Sequence, residues 1–98
     1  MKYHIFTDKE RLQLSNTIKM LSVSLETAKD RLAYHDMVVD GNLAQAGRIE
    51  LCIGAEDPLA IDAWKKWSDS KEDRDALRDR ITEIEDALRF NERLVGLT

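Results

Sequence analysis

Proline occurs once in this chain of 98 residues and glycine only four times, so little in it interrupts a helix. Aromatic residues are scarce, at 6%, while charged residues reach 35%, a balance that disfavours sheet and favours helix. A lone cysteine, Cys52, excludes an intrachain disulfide, and no Cys/His spacing suits zinc. A reducing, cytoplasmic setting is therefore expected. No apolar run approaches the roughly 18 residues of a membrane span. The segment Met1 to Asp8 acquires charge too early for the apolar core of a signal peptide.

Other absences bear on function. The net charge is −4, from 15 basic and 19 acidic residues, and the basic ones are interleaved with acids rather than gathered into a stripe. Direct nucleic-acid binding is not expected from such a pattern. Gly41, Gly47, Gly54 and Gly96 lie too far apart to form a phosphate-cradling loop. No Ser/His/Asp set has a workable spacing, so neither an enzyme nor a cofactor or metal protein is expected. Tyr34-His35-Asp36 contains an HD dipeptide of the kind that ligates metal in phosphohydrolases. The only other histidine, His4, stands in the amino-terminal segment, and a seam histidine near a helix end is the simpler reading.

What the chain does contain is helical periodicity. Thr7-Asp8-Lys9-Glu10 fits a capping box, in which hydroxyl and carboxylate reciprocally accept the backbone N–H groups of residues 10 and 7. Apolar residues then recur at Leu14, Ile18, Leu21, Leu25, Ala28, Leu32 and Val39, with His35 in the remaining slot. The alternating steps of four and three make a coiled-coil seam. Asp40-Gly41-Asn42 is expected to end this helix, giving an element over about 8–39. A second seam runs through Leu77, Ile81, Ile84, Leu88, Asn91 and Val95, in a helix expected over about 69–96. Asn91 on that seam suggests a device for fixing helix register.

Between the seams, Asp57 as cap and Pro58 at the first helical position predict a shorter helix over about 58–67. A kink or break is expected at Ser68-Asp69-Ser70, where the seam positions turn polar. Residues 42–55 admit two readings: a helix from Leu43 to Ile53, which is favoured, or a strand in which residues 48–53 pair with 2–6. Cys52, in the apolar stretch Leu51-Cys52-Ile53, is expected to be buried and inert.

The resulting expectation is a single, mainly α domain over residues 1–98. It is an antiparallel hairpin of two long amphipathic helices plus a shorter helix. Because each helix buries only one stripe, the seams are expected to assemble the chain further, into a homodimer or higher oligomeric bundle.

Two surface features suggest partner binding. Trp64-Lys65-Lys66-Trp67 sets two tryptophans on one helix face beside two lysines, which reads as bundle core, as a protein-binding patch or as a stacking site for an anionic ligand. The run from Asp69 to Asp86 carries eight acidic and four basic residues, with Asp69, Glu72, Asp73, Asp75, Asp79 and Glu83 as candidates for an acidic contact face. Pairs such as Lys71–Asp75 and Glu85–Arg89 would make it an ordinary solvated face. The function expected is a non-enzymatic interaction protein, an adaptor or inhibitor that occludes a partner protein. Short, acidic, motif-poor helical chains are common among virus-encoded accessory proteins of that type. The alternative is an oligomeric binder of an anionic small molecule or nucleotide near Trp64 and Trp67.

Overall fold

A computed structural model describes residues 6–96 as two antiparallel helices joined by a short turn. Helix α1 spans Asp8–Ile53 and helix α2 spans Pro58–Gly96. At 1.5 Å per residue the 46 residues of α1 extend about 69 Å, which matches the longest dimension of the molecule, 69 × 25 × 14 Å. The radius of gyration is 21.5 Å, where a compact chain of this length has about 13 Å. The molecule is a rod.

The expected capping box is present. Glu10 N–H donates to the Thr7 hydroxyl at 3.2 Å, and Thr7 N–H donates to the Glu10 carboxylate at 3.1 Å. Helix α1 does not stop at Gly41, however. It runs on to Ile53, so residues 42–53 are helical and the strand reading of 48–53 is corrected; its partner segment, residues 2–5, lies outside the described residues. A glycine inside a helix costs only about 1 kcal/mol relative to alanine. Here the seam continues past it through Asn42, Ala46 and Ile49, which are buried or half-buried, so packing against α2 outweighs that cost. The real stop is Gly54, whose φ of 91° and ψ of 155° lie in a region that residues with a Cβ avoid. Its N–H donates to the Glu50 carbonyl at 2.8 Å.

Asp57 caps α2 as expected, its carboxylate accepting the Leu59 N–H at 2.9 Å. The expected break at Ser68-Asp69-Ser70 is absent, and the two shorter helices are one. Ser70 occupies a seam position and is buried, but its hydroxyl donates to the Trp67 carbonyl at 2.8 Å. A serine satisfied by its own helix can stay on the seam without interrupting it.

The main apolar cluster joins Ala28 to Ile81, Ile84 and Leu88, with Ile18, Leu21, Leu25, Leu32 and Leu77 packed around it. Nearer the turn the buried residues are Val39, Ala46, Ala60, Ala63 and Ser70, so small side chains dominate there. Between these regions sits the ionic contact across the hairpin. Asp36 of α1 lies 3.5 Å from Arg78 and 4.0 Å from Arg74 of α2, and Asp75 lies 3.2 Å from Arg74. Only 16% of the Arg74 side chain is exposed, which marks it as a seam residue with a charged tip.

Candidate functional site

The expected seam residues Leu14, Ile18, Leu21, Leu25, Leu32, Leu77, Ile81, Ile84, Leu88 and Asn91 are buried or half-buried. Those of the main cluster fill the contact between α1 and α2 of one chain. The Asn91 amide donates to the Ala87 carbonyl of its own helix at 2.7 Å, and is thus engaged locally rather than across the seam. A surface for other molecules has to be sought elsewhere on the rod.

The Trp-Lys-Lys-Trp segment divides between faces. Trp64 and Trp67 are both half-buried and meet edge to face, with ring centroids 5.7 Å apart and planes at 89°. The Lys71 ammonium sits 5.3 Å from the Trp67 ring centroid, so it makes a cation–π contact instead of the expected pair with Asp75. The Trp67 indole Nε1 is buried with no hydrogen-bond partner. Lys65 and Lys66 are exposed, and Lys66 lies 3.4 Å from Asp62. An open groove of about 520 Å³ runs along this end of the hairpin, with Arg48, Cys52, Asp62 and Lys66 among its walls; neither tryptophan lines it. Cys52 is exposed, correcting the expectation of burial. In a helix only every third or fourth residue faces the neighbouring helix, so an apolar stretch such as Leu51-Cys52-Ile53 is spread around the axis.

Asp69, Glu72, Asp73, Asp75, Asp79 and Glu83 are all exposed on α2. Asp75 is held by the Arg74 and Arg78 guanidinium groups, while Arg89 pairs with Asp86 at 3.7 Å rather than with Glu85. In the HD dipeptide the two side chains part company. His35 is half-buried beside the Tyr34 ring, at 5.9 Å between centroids, whereas Asp36 joins the ion contact with Arg74 and Arg78. Among the described residues no group of three His, Cys, Asp or Glu side chains is placed to hold a metal ion.

The feature that sequence reading missed is the back of α1. Met20, Val23, Tyr34, Met37 and Leu51 are 65% to 88% exposed. They fall on one line along the helix, in the same steps of three and four as the seam but on the opposite side of the axis. Thr27, Asp30, Gly41, Ala44 and Arg48 complete that line, so charge enters it at only two positions. The equivalent line on α2 runs through Asp62, Lys65, Asp69, Glu72, Ala76, Asp79, Glu83, Asp86, Phe90 and Arg93, and is charged at all but two positions. One helix of the rod therefore has an apolar back and the other a solvated one. The signal was present in the sequence as a second heptad series, masked by the stronger seam.

The accessible surface is 7644 Å², against about 5,700 Å² for a compact protein of this mass. Among the described residues no helix is long and apolar enough to cross a membrane. The fold defines the class of this protein as a two-helix antiparallel hairpin. Comparison with known protein families, with characterised proteins and with solved structures finds no match to the chain.

Proposed function

We propose that this protein is a non-enzymatic interaction module, which acts by laying a face of its helical rod against another protein chain and occluding it. An adaptor or inhibitor of this kind, such as many small virus-encoded accessory proteins are, needs an extended recognition face and no enclosed site. The observation that carries the reading is the apolar back of α1, with Met37 at 73% and Leu51 at 88% exposure on one line. Monomeric soluble proteins seldom leave a long apolar line uncovered unless it meets a partner. A free, exposed Cys52 suits a reducing, cytoplasmic setting.

The test is site-specific photocrosslinking in cells. A benzophenone side chain at position 37 is expected to trap a polypeptide, whereas the same group at Asp79 on the back of α2 is not. Absence of any adduct at position 37 would refute the module reading.

One observation favours a second reading, an anionic small-molecule site at the turn end: the groove there carries two cations, Arg48 and Lys66, with Asp62 3.4 Å from Lys66. Isothermal titration calorimetry with nucleotides and other anions separates the two readings, because the module reading expects no saturable heat.

A further inference from the structure

We infer that the chain on the back of α1 is a second copy of this protein, docked antiparallel through the line from Met20 to Leu51. This deepens the interaction-module reading and rests on it.

The first argument is length and area. Met20 and Leu51 are about 47 Å apart along the helix, so the line covers about two-thirds of α1 and matches another rod better than a globular surface. Its five large side chains are 65% to 88% exposed. With about 200 Å² for a fully exposed large side chain they offer about 700 Å² on each copy, or about 1,400 Å² in a symmetric pair, which falls in the range of stable interfaces.

The second argument is self-complementarity. A two-fold axis through the middle of the line, between Tyr34 and Met37, sets Tyr34 against Met37 of the second copy and Met20 against its Leu51. The same register puts Asp30 opposite Gly41 of the second copy. Gly41 has open space where a side chain would be, with nothing within 4 Å of an added Cβ. The acidic residue on the line thus meets the one position that leaves room for its carboxylate to stay hydrated. Arg48 falls opposite Val23, where its aliphatic stem can lie along the apolar side chain and its guanidinium reach water.

The third argument is what stays outside. Pairing through α1 produces a layer in the order α2, α1, α1, α2, with both charged α2 backs facing solvent. Pairing through α2 would instead bury Asp69, Glu72, Asp79 and Glu83 without partners.

Sedimentation equilibrium of the purified protein from 1 to 100 µM, combined with distance measurement between spin labels on native Cys52, tests this. The exposed thiol can be labelled without any substitution. The expected mass is twice 11.3 kDa, and the antiparallel register places the two labels about 50 Å apart. Met37→Glu is expected to weaken association on the order of 100-fold, since each copy would bury an unpaired charge, with helicity unchanged. Phe90→Glu, on the back of α2, is expected to leave association intact. A monomer throughout the range overturns the inference, as does a label separation below about 20 Å, the mark of a parallel pair. An adduct at position 37 with a different polypeptide, from a protein that is itself monomeric, overturns self-pairing while the module reading survives.

Discussion

The three described loop and helix-interior glycines should respond to alanine with opposite signs, and that contrast tests the course of the chain more sharply than any core deletion. Gly41 and Gly47 lie inside α1, and a Cβ added at either meets nothing within 4 Å. Gly41→Ala and Gly47→Ala should each stabilise the fold by about 0.8–1.0 kcal/mol, the difference in helix propensity. Six positions separate them, so their effects should add to about 1.8 kcal/mol. Unfolding entropy of about 2.1 cal/mol/K per residue gives about 0.2 kcal/mol/K for this chain, and hence a Tm rise of about 9 °C for the double variant. Gly54 is the counter-case. Its Cβ would also meet open space, but its φ of 91° and ψ of 155° are strained for any residue that has one. Gly54→Ala should therefore lose about 1–3 kcal/mol. Thermal melts followed by circular dichroism at one fixed protein concentration measure all three, the concentration being held because association shifts Tm. If Gly41→Ala lowers or leaves Tm at a protein concentration low enough to keep the chain monomeric, the helix ends near residue 41 and the long α1 is wrong. If Gly54→Ala is neutral, the turn is misplaced.

Other outcomes follow from the packing. Ile84→Asp places a charge in the main cluster and should remove most of the helical signal, at a cost of several kcal/mol that rivals the whole stability of a small domain; an unchanged melt would show the seam to be misassigned. Asp36→Ala should destabilise by only about 0.5–1 kcal/mol, because Asp75 still pairs with Arg74 at 3.2 Å; urea denaturation reads the loss, and one above about 2 kcal/mol would refute that redundancy. Cys52 should react completely with a thiol-specific chromogenic reagent in the folded protein, and a thiol released only by denaturant would contradict its exposure.

Much of the fold can be read from the sequence where the determinants are local or repeat often. The capping box at Thr7, the Asp57-Pro58 start and the seams around Leu25 and Ile84 are of this kind. The two misplaced helix boundaries share one physical cause, a local signal overridden by packing. At Ser68-Asp69-Ser70 polar seam positions signal a break on local evidence, and Ser70 becomes compatible with a continuous helix through its bond to the Trp67 carbonyl and the facing helix. Gly41 misled in the same way, because propensity weighs one residue while packing weighs the whole heptad series. The candidate site was overlooked for a different reason. Met20, Val23, Tyr34, Met37 and Leu51 form a sparser heptad series, interrupted by Asp30, Gly41 and Arg48, and only the placement of α2 on the opposite side shows it to be uncovered.

The hairpin places its best packing away from its covalent link, just past the middle of the rod. The link lies at Gly54 to Asp57, beside small or polar buried residues such as Ala46, Ala60 and Ser70, and the bulky cluster of Ile81, Ile84 and Leu88 lies well away from it. Near the turn, tethering holds the helices at an effective concentration in the millimolar range, so weak packing suffices there. Farther out, apolar burial does what the tether cannot. The two halves of the rod thus rely on different physics, and neither is redundant. A chain cut in the turn would become a pair of complementing fragments, held at the apolar cluster and fraying at the cut.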